Sequence, residues 1–108
     1  MALFLGVDIG GTKTAVVLGN ERAEVLAKQA FPTDRAGGPA AVLEDIKRAI
    51  ETVCAMAGAA LRDVEAVGIS CGGPLDSRAG VVLGPPNLPG WDYVPVAQEL
   101  GEFTGRPA

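Results

Sequence analysis

Hydrophobic residues fall along this chain in two rhythms. In the first third they run together or alternate. Leu3–Ile9 is an apolar run carrying Asp8 near its end, Thr14–Gly19 is β-branched and aliphatic, and Glu24–Phe31 alternates loosely before Pro32. The stretches "GGTK" and "GNERA" between these runs have turn composition. Three strands in an antiparallel meander are predicted, with Thr33–Gly38 as a loop. From Pro39 the period changes: Val42, Leu43, Ile46, Ile50, Val53, Cys54 and Ala57 follow helical spacing, and Glu44, Asp45, Lys47, Arg48 and Glu51 take the other face. Pro39 suits the first helical position and Gly58 the stop. A further strand is predicted within "DVEAVGISCGG", then a short one at Gly80–Leu83 and a Pro/Gly-rich loop, "GPPNLPGWDY". A last helix is predicted from near Pro95 to Gly105, with Val96, Leu100 and Phe103 on one face. The order β-β-β-α-β, with a helix crossing to a fresh strand, predicts an α/β layer architecture.

Composition narrows the class without changing this picture. The chain has 108 residues, 48% hydrophobic and 20% charged, which is the balance of one small globular domain or a piece of one. Such a chain buries roughly two-thirds of its unfolded surface, enough for a modest core. A net charge of −4 provides no electrostatic footprint for nucleic acid. No apolar stretch has the length of a membrane span, and Met1 leads into a strand-like run without a signal-peptide pattern. Cys54 and Cys71 lie far apart with no C-x-x-C spacing, so a reducing, cytoplasmic setting is expected. The chain has no histidine, and no zinc site is expected in it.

The candidate chemistry lies in "GVDIGGTKT". Gly6, Gly11, Lys13 and Thr14 nearly spell a P-loop, but Thr12 separates Gly11 from Lys13, and a strand follows where a helix is needed. A dinucleotide fingerprint fails for the same reason. What remains is a hairpin turn with two readings. In one, Gly10 and Gly11 simply turn the chain, and Asp8 accepts backbone hydrogen bonds. In the other, the glycines let backbone N–H groups approach phosphate oxygens as an anion nest. Thr12 and Thr14 then add hydroxyl donors, Lys13 a charge-assisted one, and Asp8 holds Mg²⁺ directly or through water. A carboxylate at the tip of an apolar strand is costly unless paired, which favours the second reading.

"DIGGTKT" near the chain start resembles the first phosphate motif of the actin-like ATPase superfamily, in the form used by the ROK family of sugar kinases and repressors. The segment "GISCGGPLDSRAGVVLGPPNLPGWDYVPVAQEL" is similar to the ROK stretch with a strand, a Gly-Pro turn, an Asp, a G-V-V run and Pro-Asn-Leu before a Trp. The resemblance covers nearly the whole chain. It implies a ribonuclease-H-like lobe, with a mixed sheet that begins as an antiparallel three-strand meander followed by a helix crossover. Asp8, Gly10, Gly11, Thr12, Lys13 and Thr14 would form the ATP-phosphate and Mg²⁺ motif. Gly72, Gly73 and Asn87 would line the sugar side. Residues 1–108 would be the N-terminal lobe of a two-lobe ATP-dependent hexose kinase, acting on glucose or a related hexose. The strand with the catalytic aspartate, the adenosine region and the family's zinc motif would all lie beyond residue 108. On that basis the lobe alone is expected to be inactive, and the intact protein to be a homo-oligomer through its C-terminal lobe. The alternative within the family is the sugar-sensing part of a transcriptional repressor, which carries a helix-turn-helix ahead of the glycine motif and often loses the phosphate residues.

Other residues invite a chemical reading and have a plainer one. Cys71 lacks a histidine to activate it and fits a strand end, while Cys54 fits the apolar helix face. Asp76 is either a second acid or a turn-stabilising aspartate. Trp91 either stacks on a sugar ring or anchors its loop to the core.

Overall fold

The computed structural model describes residues 2–108. The strands are β1 (Leu3–Ile9), β2 (Lys13–Asn20), β3 (Val25–Pro32), β4 (Val64–Cys71), β5 (Leu75–Asp76) and β6 (Val81–Val82); the helices are α1 (Gly38–Ala57) and α2 (Val96–Thr104). A short 3-10 turn, Leu61–Asp63, precedes β4. The main sheet has the order β3-β2-β1-β4. β1 pairs antiparallel with β2, and β2 with β3, whereas β4 lies parallel to β1 after the α1 crossover. The meander and crossover expected from the hydrophobic rhythm are present, and β5 with β6 forms a small separate hairpin.

One face of the sheet makes the core. Along β2 the side chains alternate strictly, with Thr14, Val16 and Leu18 buried and Lys13, Ala15 and Val17 on the other side. β1 does the same: Leu5, Val7 and Ile9 point inward, and Phe4, Gly6 and Asp8 outward. α1 covers the inward face with Val42, Leu43, Ile46, Ala49, Ile50, Val53 and Cys54, and stops at Gly58 in the left-handed conformation. Ala49 takes the place expected for Ala57, which is exposed together with Ala55 and Met56. Leu88, Trp91, Val96 and Leu100 complete the core, with Phe103 packed at its margin. No helix among the described residues is long and apolar enough to cross a membrane.

Candidate functional site

The turn between β1 and β2 is closed by the Gly10 amide, which donates to the Lys13 carbonyl at 3.1 Å. A Cβ on Gly10 would stand 2.7 Å from that same oxygen, so this close approach requires glycine. The amides of Gly11, Thr12 and Lys13 donate to no acceptor among the described residues. Lys13 opposes Pro32 across the sheet, in a pair without ladder bonds between them, and its ammonium makes no ion pair there. Three successive N–H groups without a partner, with the hydroxyl of Thr12 and the charge of Lys13 beside them, are the kind of donor set from which an anion nest is built.

Asp8 sits two residues before the turn, level with Ala15 on one side and Ser70 on the other. Its side chain is on the outer face and exposed. The carboxylate therefore escapes the burial cost expected for the tip of an apolar strand, and that cost does not favour function here. What favours it is position: by strand parity Asp8 and Lys13 project from the same face, on either side of the open amides.

Thr14 behaves differently from its neighbours. It is fully buried on the inward face, and its hydroxyl lies 2.8 Å from that of Thr33. Thr33 donates its single hydroxyl proton to the Gly10 carbonyl at 2.7 Å, so Thr14 must be the donor in the Thr14–Thr33 bond. The expected phosphate-donor role of the Thr14 hydroxyl does not fit this geometry; strand parity turns it to the core with Val16 and Leu18.

The sugar-side candidates come from two segments. Gly72 and Gly73 follow the end of β4, and Asn87 sits in the loop between β6 and α2. That loop is built of nested turns, with Leu88 N–H donating to the Pro85 carbonyl and Trp91 N–H to the Leu88 carbonyl. Leu88 and Trp91 are buried, which holds exposed Asn87 at the tip. A Cβ on Gly11 would meet the Asn87 carbonyl oxygen at 2.7 Å and its side-chain nitrogen at 3.0 Å; one on Gly72 would lie 3.8 Å from the side-chain oxygen. Gly11, Gly72 and Asn87 thus form one corner, and the two groups predicted from separate motifs adjoin. Gly73 is next in the chain after Gly72, but a Cβ on it would meet only the Leu75 N–H at 3.8 Å and not Asn87.

The plainer readings of the remaining residues agree with their surroundings. Asp76 accepts from the amides of Arg78 and Ala79 at 3.1 Å, which is a turn-stabilising role. Trp91 is a core anchor with no face open to a ligand. The Cys71 thiol is pushed up from its ordinary pKa by burial first and by the charge of Asp8 second, with a hydrogen bond from the Gly72 backbone opposing them. It stays protonated near neutrality and is a poor nucleophile. Burial likewise raises the Cys54 thiol. Among the described residues, no group of three or more His, Cys, Asp and Glu side chains could hold a metal. Asp8 offers a single carboxylate, which fits a cation shared with a phosphate chain and not one caged by protein.

Residues 4–108 match the model of the ROK family. The chain is 34% identical over 102 residues to a glucokinase of Thermotoga maritima, covering 94% of this chain and 31% of that protein. The crystal structure of a ROK hexokinase from Thermus thermophilus superposes with a TM-score of 0.83 at 37% identity, over 97% of this chain and 33% of that one. A ROK family glucokinase from Streptomyces griseus, solved in complex with glucose and AMPPNP, gives a TM-score of 0.84 at 31% identity, over 98% of this chain and 31% of that one. The chain spans about a third of the length of the relatives it matches.

Proposed function

Since this chain belongs to the ROK family, we propose that it is the N-terminal, phosphate- and sugar-side lobe of an ATP-dependent hexose kinase of glucokinase type. The intact protein transfers the γ-phosphoryl group of ATP to a sugar hydroxyl. The observation that carries this reading is the row of open amides at Gly11, Thr12 and Lys13, flanked by Asp8 and adjoining Asn87. The likeness to a glucokinase that binds glucose and AMPPNP supports it.

Each residue has a defined task in this proposal. The turn amides and Lys13 hold the nucleotide's phosphate oxygens, and the hydroxyl of Thr12 adds a donor. Thr14 supports the turn from the core side. Asp8 holds Mg²⁺, directly or through water; the ion neutralises charge on the phosphates. Asn87 donates and accepts at the sugar hydroxyls, and Gly72 and Gly73 leave room for the ring. Phosphoryl transfer depends chiefly on positioning and electrostatics, and this lobe supplies both. The general base that takes the sugar hydroxyl's proton is provided from outside residues 1–108. A glucokinase is preferred to a sugar-sensing repressor because the phosphate motif is complete and kinases are the relatives of highest identity described above.

The test is a coupled assay for ATP-dependent glucose phosphorylation by the full-length protein, run beside Asp8→Asn. The substitution keeps shape and removes the charge. kcat should fall by two orders of magnitude or more, roughly 3 kcal/mol, with little change in the sugar's Kd. Near-wild-type kcat in Asp8→Asn would make Asp8 structural and the motif assignment wrong.

A further inference from the structure

Thr33 is the first residue after β3, nineteen positions from Thr14 along the chain. It nevertheless makes three hydrogen bonds to the β1–β2 turn region. Its hydroxyl donates to the Gly10 carbonyl at 2.7 Å, its backbone N–H donates to the Thr12 carbonyl at 2.9 Å, and its hydroxyl oxygen accepts from Thr14 at 2.8 Å. In a trans peptide, the C=O and the N–H that follows it point in opposite directions. Both peptides concerned are trans, the one cis bond among the described residues being Gly73–Pro74. Drawing the Gly10 carbonyl toward Thr33 therefore turns the Gly11 N–H away from it. Drawing the Thr12 carbonyl to Thr33 does the same for the Lys13 N–H.

We infer that Thr33 is a positioning residue for phosphate recognition: it fixes two peptide planes so that the Gly11 and Lys13 amides face outward before any nucleotide arrives. The inference rests on the phosphate-binding reading of the turn. Glycine at positions 10 and 11 leaves the Gly10–Gly11 plane free to flip, so without the Thr33 hydroxyl the Gly10 carbonyl could turn toward the anion in place of the Gly11 N–H. Thr14 completes the device from below. Buried and with its own proton donated to Thr33, it leaves the Thr33 proton only the Gly10 carbonyl to bond.

The test compares wild type, Thr33→Val and Thr33→Ser in the full-length protein, with isotope-labelled glycine and lysine for amide spectra. Thr33→Val keeps the shape and the backbone N–H but removes the hydroxyl; Thr33→Ser keeps both donors. In wild type, ATP·Mg²⁺ should shift the Gly11 and Lys13 amide resonances. In Thr33→Val the Kd for ATP·Mg²⁺ should rise about tenfold while that for glucose changes less than about twofold. Thr33→Ser should stay within about threefold of wild type for both ligands. An unchanged ATP·Mg²⁺ affinity in Thr33→Val overturns the inference. So does equal weakening of both ligands, failure of Thr33→Ser to restore binding, or a wild type whose two amides do not respond. A wild type whose amides respond but which phosphorylates no hexose overturns the kinase reading and leaves the role of Thr33 standing.

Discussion

The glycine turn and the Asn87 loop meet at Gly11 but keep their shapes by different means. The turn is held by polar contacts: Gly10 to Lys13, and Thr33 to both Gly10 and Thr12. It buries no large side chain of its own. The Asn87 loop is held chiefly by packing, with Leu88 and Trp91 sunk in the core; short turn bonds link Pro85, Leu88 and Trp91, and the Gly84 N–H donates to the Trp91 carbonyl at 2.6 Å across the neck of the loop. A polar frame sets the direction of donors, which suits an anion. A packed frame sets the place of one side chain, which suits a neutral polar ligand. The corner at Gly11 is where one frame limits the other.

Removing the packing should have the largest effect and should fall on one side. Trp91 is fully buried, and its indole N–H has no acceptor among the described residues, so its side chain contributes packing and no hydrogen bond. Trp91→Ala should cost about 3–5 kcal/mol of stability, measured by denaturant unfolding. In the fraction that remains folded, glucose affinity should drop while the ATP·Mg²⁺ affinity holds. Equal loss of both ligands would show that the turn depends on the loop, and the comparison above would break.

Crowding the shared corner should instead affect both sides. A Cβ at position 11 would stand 2.7 Å from the Asn87 carbonyl oxygen and 2.9 Å from its Cβ. One of those contacts is backbone and cannot swing aside, so turn and loop must separate. Gly11→Ala should cost about 1–3 kcal/mol as overpacking does. The kcat/KM values for ATP and for glucose should fall together, by about ten- to a hundredfold. If only the sugar side suffers, the loop has moved and the turn has not, and the polar frame is then the stiffer of the two.

The same contrast governs how much of the molecule was legible in the sequence. Periodicity located β1 to the residue, brought the other main strands and both helices within a position or two, and named most of the α1 core face. It missed Leu75–Asp76, because a two-residue strand has no period to read. It put Ala57 in the core in place of Ala49, because helical spacing says nothing about where the covering sheet ends. In the site, residue types suggested the glycine turn, and family resemblance supplied Gly72, Gly73 and Asn87. The adjacency of Gly11 and Asn87 was not legible, since 76 positions separate them and only folding closes that distance. By sequence Thr33 is only the start of a loop, as no sequence pattern marks a clamp that acts on another segment's carbonyls. The inward turn of Thr14 could have been found: a period of two places it with Val16 and Leu18.

The smallest expected effect on stability is also the most selective on activity. Asn87 is exposed, and its side chain makes no hydrogen bond among the described residues. Asn87→Ala should therefore leave the melting temperature nearly unchanged, because neither a packed group nor an internal bond is lost. With sugar bound, the amide's absence leaves a substrate hydroxyl without its partner in a closed site. That should lower kcat/KM for glucose by about 1–3 kcal/mol, while the KM for ATP stays close to wild type. The split matters more than its size. Because the backbone of Asn87 touches Gly11 and its side chain borders Gly72, a loop-shaping role would alter the turn as well. Asn87→Ala would then lower stability and weaken ATP and glucose in parallel, and Asn87 would belong to the frame and not to the sugar. Kinetics for each substrate, measured beside thermal melting, separate the two outcomes.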